Sequence, residues 1–477
     1  MSDCPDAAVA NATDATSDAI ERVIASTVNH HRILRCPADF EVGRHSTMRA
    51  FMTRHDRCHP LYGDIIGGLT TFVTMAYIIV VNPGILSTPG TGMSFSGTMT
   101  ATILVAATMT LLMGLYADLP FAVAPGMGLN AFFAFTIVLQ GKMPWQSALG
   151  VVFWAGVLFV VVSATPLRQQ IAMAIPASLR AAAGAGIGLL LTFIGLRNSG
   201  LVVGDPSTIV RMGTLDHRAW LLLVGIVVAV AMVRRRNPLA FLAAIFLVSA
   251  IAWSFGYAAL PAHLVSRPDF SSTLLKLDVR GALSLASLPT ILAIMFTDLF
   301  DSLSTFVGVA AAGGLTDRDG QPINLRRGLL VDALATLGAA VAGTSPGTAY
   351  VESVAGIRMG ARTGRASVVT ALCFVPCLFI APLAGAVPPY ATSPVLLLVG
   401  ASMFQAMTAI DLSTIEDALP GFVTVVLIPL TLSITQGLLW GFLLHALAYA
   451  GVGRWRDVGP AAWTLAALSA VLLVVAH

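Results

Sequence analysis

The chain of 477 residues is 56% hydrophobic and 11% charged, with a mean hydropathy of +0.83. That excludes an ordinary soluble domain, in which about a quarter of the residues are charged. The formal net charge of +3, from 27 Lys and Arg against 24 Asp and Glu, is too small to suggest a nucleic-acid partner.

The first 48 residues are polar, rich in Ala, Ser and Asp, and lack the basic-then-apolar pattern of a cleaved signal peptide. They read as a cytosolic tail, with Met48 an alternative start. Apolar runs of span length then recur near 65–86, 100–118, 145–165, 181–196, 219–233, 238–257, 286–312, 328–343, 366–385, 393–409, 419–434 and 436–452. Two further segments, 121–140 and 344–357, are apolar but interrupted, so fourteen spans are expected in the bilayer.

The positive-inside rule supports this count. Arg49, Arg54 and Arg57 precede the first span, Arg168 and Arg180 follow the fourth, and Arg234, Arg235 and Arg236 follow the sixth. Arg326 and Arg327 follow the eighth, Arg358, Arg362 and Arg365 the tenth, and Arg454 and Arg456 the fourteenth. All of these lie at even-numbered ends, while the odd-side connections at 87–99 and 386–392 carry no charge and the longer ones at 197–218 and 258–285 are mixed in sign. This pattern predicts a multi-pass protein of the cell (inner) membrane with both termini cytoplasmic. The segment 461–476, "AAWTLAALSAVLLVVA", reads equally as an extra span or an interfacial helix. The five cysteines, Cys4, Cys36, Cys58, Cys373 and Cys377, have neither metal nor redox spacing.

The two interrupted segments resemble each other. "FAVAPGMGLNAFFAF" (121–135) breaks at Pro125-Gly126 and leads to Asn130, and "VAGTSPGTAYVESVAGI" (341–357) breaks at Pro346-Gly347 and leads to Glu352. They are the third and tenth spans. A separation of seven, an odd number, inverts the second half relative to the first, and paired broken spans in an inverted repeat are a transporter's pointer to a mid-membrane binding site. Pro removes a backbone donor and Gly lowers helix propensity, so each segment should be extended up to its break and a half-helix after it. Two helix N-termini, with unpaired N–H groups, would then face each other.

Carboxylates inside spans are rare and usually functional. The eighth span, "ILAIMFTDLFDSLSTFVGVA", carries Asp298 and Asp301 three apart, near one helix face, and Glu352 lies in the tenth. Asp298 reads as a structural hydrogen-bonding group, Asp301 and Glu352 as functional ones, and Asp118 and Asp332, near span ends or polar loops, as structural. Desolvation favours the neutral form of a carboxyl group, which suits a buried acid to taking up and releasing protons during transport. No sodium cage stands out, although carbonyls freed at the two breaks leave sodium coupling open.

These segments resemble the xanthine/uracil permease superfamily of nucleobase–cation symporters, specifically its azaguanine-permease-like adenine, guanine and hypoxanthine permease subgroup. The matching stretches include "GGLTTFVTMAYIIVVNPGIL" (67–86), "LPFAVAPGMGLNAFFAF" (119–135), "FTDLFDSLSTFVGV" (296–309) and "GTSPGTAYVESVAGIRMGARTG" (343–364), within a match over about 60–452. The resemblance implies an all-α polytopic fold, a 7+7 inverted repeat with core and gate domains, often in a homodimer.

On that plan residues 1–60 form the tail, 61–165 and 285–385 the two core halves, 166–284 and 386–453 the two gate halves, and 454–477 a C-terminal tail. It also implies proton symport of a purine base, with Asn130, Asp301 and Glu352 contacting the base or serving transport. Asp301 and Glu352 would carry the coupling, and no cofactor beyond the coupling ion is expected. The chain departs from the subgroup at Ser302 and Ser304, which replace a Thr and a Gly, and at Gly347, where a larger residue is common. These changes bear on the identity of the base more than on transport.

Other polar and aromatic groups fall into place around that site. Thr71, Thr74 and Tyr77 share a helix face and either line the pocket or satisfy backbone groups. Phe132 or Phe133 could stack on a flat heterocycle. Tyr350 is a plausible neighbour of the ligand, whereas His445 reads as structural. Three rival readings remain. An anion exchanger of the same fold is disfavoured because Glu352 would repel its cargo. A membrane-embedded enzyme lacks a nucleophile-base or metal motif, and a channel lacks a continuous polar lining.

Overall fold

The structure is a computed structural model, and it describes residues 60–165, 176–261, 263–284, 287–317 and 322–475. The N-terminal tail with Met48, together with Arg168, lies outside the described residues. Helices dominate. The first span is broken into α1 (Pro60–Met75) and α2 (Ile78–Leu86), and α3 (Phe95–Leu112) continues through a π-helical turn to Ala117. A short strand β1 (Val123–Pro125) leads to α4 (Met127–Ala131), which widens into π-helical turns as far as Gln140. Then come α5 (Trp145–Ala164), α6 (Ala177–Asn198), a hairpin of β2 (Val202–Asp205) and β3 (Ile209–Met212), α7 (His217–Arg234) and α8 (Ala240–Ser254).

The second half runs α9 (Leu288–Gly313), α10 (Leu325–Ala342), β4 (Gly347–Ala349), α11 (Ser353–Arg358), α12 (Gly364–Phe374) and α13 (Ala381–Gly385). It ends with α14 (Pro389–Phe404), α15 (Ile415–Thr431), α16 (Ile434–Gly451) and α17 (Pro460–Val475). Among the described residues, seven helical stretches are long and apolar enough to cross a bilayer by themselves. The other expected spans are shorter, more polar or interrupted. The eleventh, for instance, is divided between α12 and α13, with Pro376 and Pro382 each at the start of a new helical turn.

The two broken spans meet as strands. β1 pairs antiparallel with β4 in the register Val123 with Ala349, Ala124 with Thr348 and Pro125 with Gly347. Antiparallel pairing satisfies backbone groups that the breaks free inside an apolar body, where an unpaired N–H or C=O is costly. Side chains complete the accounting. Val123 is bracketed by the Thr110 hydroxyl, which donates to its carbonyl at 3.0 Å and accepts from its N–H at 2.9 Å. The Ser353 hydroxyl accepts from Ala122 N–H at 3.0 Å.

The hydroxyls of the "GTSPG" break have a similar use. Asn82 on α2 donates at 2.8 Å to both Thr102 and Thr344 and accepts from Ser345 at 3.1 Å, which ties α2, α3 and the approach to β4 together.

The helices sort into two packing groups. The elements α1–α5 and α9–α12 pack chiefly on one another, as do α6–α8 and α14–α17. In the second group α6 and α14 approach closely at small residues. A Cβ on Gly188 would stand 2.5 Å from the Gly400 carbonyl oxygen, and a Cβ on Gly400 would meet Thr192 Oγ1 at 2.3 Å. Small residues let apolar helices bring their backbones together where no hydrophobic effect drives them, so packing itself holds the pair.

Candidate functional site

Close to the paired strands the structure brings together groups from the break between α1 and α2, from α9 and from the turn before α11. Glu352 is the residue just before α11, and its carboxylate Oε1 accepts from the Tyr77 hydroxyl at 2.6 Å. Tyr77 stands at the break between α1 and α2 and is fully buried. Asp301, on α9, is half-buried and lies within electrostatic range of both Glu352 and Tyr350. The Tyr350 hydroxyl donates to the Pro125 carbonyl at 2.6 Å, and its N–H reaches Ala122 O at 2.9 Å.

Asn130, on α4, is 0% exposed, and neither its amide nitrogen nor its oxygen has a protein partner. A buried amide without partners is uncommon, because each unmade hydrogen bond costs about 1–3 kcal/mol. Such a group is explained when something else supplies the bonds.

The other two span acids, Asp298 on α9 and Asp332 on α10, join those two helices beside β4. Thr336 Oγ1 hydrogen-bonds to Asp298 Oδ2 and lies 3.1 Å from the Gly347 carbonyl oxygen. The Ser302 hydroxyl donates to Asp332 Oδ2 and stands 2.9 Å from Thr348 Oγ1. Both acids therefore bear on the scaffold that holds β4 in place. Asp332 is fully buried in the body of α10 and not near a span end as the sequence suggested. A fixed network of this kind makes the position of Glu352, three residues beyond β4, reproducible.

Comparison with known proteins decides the affiliation. The permease family model for xanthine and uracil permeases matches residues 63–439. The chain belongs to the xanthine/uracil permease family. This permease is 35% identical to the adenine permease AdeP of Escherichia coli over 86% of its own length and 92% of the relative's. It is 37% identical to the guanine/hypoxanthine permease PbuO of Bacillus subtilis, over 86% of its length and 97% of the relative's. Among solved structures, the transmembrane domain of the cyanobacterial bicarbonate transporter BicA superposes with a TM-score of 0.62 at 18% identity, covering 80% of this chain and 97% of that one. That likeness concerns the fold alone. The permease is a multi-pass membrane protein of a transporter family and not an enzyme.

Within the permease, the residues singled out from sequence separate into distinct settings. Glu352, Asp301 and Tyr350 share one neighbourhood, and Asn130 lies on the half-helix that follows the partner strand. Tyr350 uses its proton to hold β1, so its first role is to fasten the crossing. Thr74 donates to the carbonyls of Thr70 and Thr71 on its own helix, at 3.0 and 2.9 Å, which leaves it only acceptor capacity. Phe132 and Phe133 are each 1% exposed and packed into the core.

Of the two sequence departures in the eighth span, Ser302 serves the β4 scaffold and Ser304 points to the exposed side of α9. Sequence reasoning did not single out Thr297, whose buried hydroxyl lacks a protein partner one helical turn before Asp301. The i, i+4 spacing to Asp301 was the available signal. His445 packs against Tyr449 on α16 with ring centroids 4.6 Å apart.

Proposed function

We propose that this permease is a secondary active transporter that imports purine nucleobases (hypoxanthine, adenine or guanine) by proton symport. The observation that carries the reading is a buried, unpartnered Asn130 amide on the half-helix after β1, together with two carboxyl groups, Asp301 and Glu352, within electrostatic range of each other. A purine edge presents ring N–H donors and adjacent acceptors. A carboxylate accepts N–H donors strongly, and an amide supplies both a donor and an acceptor. The printed substrates of the relatives, adenine for one and guanine and hypoxanthine for the other, support the same class.

In this proposal Glu352 holds the base and Asp301 carries the coupling proton. The fourteen spans form a 7+7 inverted repeat. The core halves, 61–165 and 285–385, move like an elevator against the gate halves, 166–284 and 386–453. The protein works as a homodimer in the inner membrane, with both termini cytoplasmic. A cargo anion would be repelled by the two carboxylates, which disfavours the exchanger reading.

Uptake of radiolabelled purines and pyrimidines by a transporter-deficient host expressing the chain, with and without a protonophore, tests the proposal. Purine accumulation abolished by the protonophore is the expected result. Uptake of bicarbonate or sulfate with no purine uptake would overturn it.

A further inference from the structure

Tyr77 has two contacts that belong to different parts of the molecule. Its hydroxyl donates to Glu352 Oε1 at 2.6 Å. Its ring meets Phe241 edge-on, with centroids 5.2 Å apart and planes at 86°. Phe241 lies on α8, which packs mainly with α7 and α14 in the second helix group, whereas Tyr77 and Glu352 belong to the first. One buried side chain thus touches the site acid at one end and the opposing helix group along its body.

We infer that Tyr77 is a positioning residue that orients the Glu352 carboxylate for the base and links that orientation to the placement of α8 through Phe241. The inference rests on the reading of Glu352 as the base-holding acid. A phenol has a single proton, and here it engages one carboxylate oxygen, Oε1, so that Oε2 is not held by the phenol. At 2.6 Å the bond is short, and with Glu352 ionised, as its base-holding role requires, it fixes the plane of the carboxylate more firmly than a neutral hydrogen bond would.

The same ring cannot shift relative to Phe241 without moving its hydroxyl. A displacement of α8 against α1 is therefore felt at Glu352, and a change in what Glu352 holds is felt at α8. Edge-to-face aromatic pairs have a preferred geometry, which makes this contact directional and not merely greasy. The position at the break between α1 and α2 places Tyr77 where the backbone already departs from a regular helix.

Two variants separate the two ends of the device. Tyr77→Phe keeps the ring and its contact with Phe241 but removes the hydroxyl. It should weaken equilibrium binding of radiolabelled hypoxanthine, adenine or guanine to purified protein about tenfold, the scale of one lost charge-assisted hydrogen bond. In a Glu352→Asp background, where the shorter acid withdraws from the hydroxyl, Tyr77→Phe should add little further loss.

Phe241→Leu leaves the hydroxyl on Glu352 but loosens its link to α8. It should lower the maximal uptake rate severalfold while weakening equilibrium binding much less than Tyr77→Phe does, a split that a purely structural role would not produce. Wild-type affinity in Tyr77→Phe, or an undiminished effect in the Glu352→Asp background, would overturn the positioning role. Parallel losses of affinity and rate in Phe241→Leu, or no change in either, would overturn the link to α8. Should Tyr77→Phe fail to fold, the Phe241→Leu split still decides the second half and Glu352→Asp alone still reports the acid. Failure of the wild-type protein to bind any purine is a separate result that removes the base-holding reading itself.

Discussion

The Tyr350 hydroxyl donates to the carbonyl oxygen of Pro125 at 2.6 Å, so a residue from the turn after β4 closes the end of β1. Gly126 N–H donates in return to Pro346 O at 2.9 Å, and the two proline breaks are thereby tied to each other. Tyr350→Phe leaves a buried carbonyl without its donor. It should lower stability by about 1–3 kcal/mol, read as a fall in the thermal midpoint of the detergent-purified protein. An unchanged midpoint would show that another donor replaces the phenol.

Asn130→Ala should behave in the opposite way. Because neither side-chain atom has a protein partner, truncation removes no internal bond. The thermal midpoint of the unliganded protein should hold or rise. Purine binding should weaken by about one to two hydrogen bonds, on the order of ten- to a hundredfold. A collapse in expression with unchanged affinity would make Asn130 structural.

Glu352→Gln and Asp301→Asn should differ. The first replaces an acceptor by a donor at the position that holds the base, so it should lose affinity even in base-for-base exchange, which needs no gradient. The second mimics a permanently protonated acid and should retain exchange while losing accumulation. Counterflow and protonophore-sensitive uptake in the same vesicles distinguish them, and an Asp301→Asn protein that still concentrates purine would remove Asp301 from coupling.

Gly356 on α11 sits against α1. A Cβ there would stand 2.0 Å from Thr71 Oγ1 and 2.3 Å from the Gly67 carbonyl oxygen. Gly356→Ala should force the two helices apart at a cost of about 1–3 kcal/mol and disturb Glu352, four residues earlier. Reduced uptake together with a lower thermal midpoint is the expected result, whereas wild-type values in both would mean the contact is loose.

Outside the spans, the Asp269 carboxyl is held below the usual carboxylate range, chiefly by the Ser272 hydroxyl at 2.6 Å, with Ser96 and Ser271 adding further donors. A depressed folded value contributes stability that is present above the unfolded value, about 3.9, and lost as pH falls through the lower folded value. Hydrogen-exchange protection over residues 263–275, corrected for the intrinsic amide rate at each pH, should therefore fall below about pH 4. Asp269→Asn should show the reduced protection already at neutral pH, and identical profiles for the two proteins would discount the tether.

Much of this protein was legible in its sequence. The long apolar helices among the described residues follow from the cost of placing polar groups in hydrocarbon, which acts residue by residue and leaves a one-dimensional trace. The paired breaks at Pro125-Gly126 and Pro346-Gly347 could be read because a Pro-Gly pair both removes a backbone donor and lowers helix propensity. Single prolines did not mark breaks, since Pro83, Pro394, Pro420 and Pro429 lie inside helices. In the tenth span the strand Gly347–Ala349 follows the break, so helix resumes only at Ser353. Asp301 and Glu352 announced themselves as carboxylates in apolar surroundings.

Tertiary structure alone decided what each group faces. The sequence marks Tyr350 and Asn130 equally as polar residues near a break, yet one fastens Pro125 and the other is left without a protein partner. Asp298, Asp301 and Asp332 carry the same side chain, but Thr336 and Ser302 engage the first and last while Asp301 lies within electrostatic range of Glu352. Tyr77 reaches Glu352 across 275 positions of chain. Hydrogen bonding and aromatic contact act over a few ångströms between residues whose separation along the chain carries no record of that closeness, so only the folded arrangement could assign them.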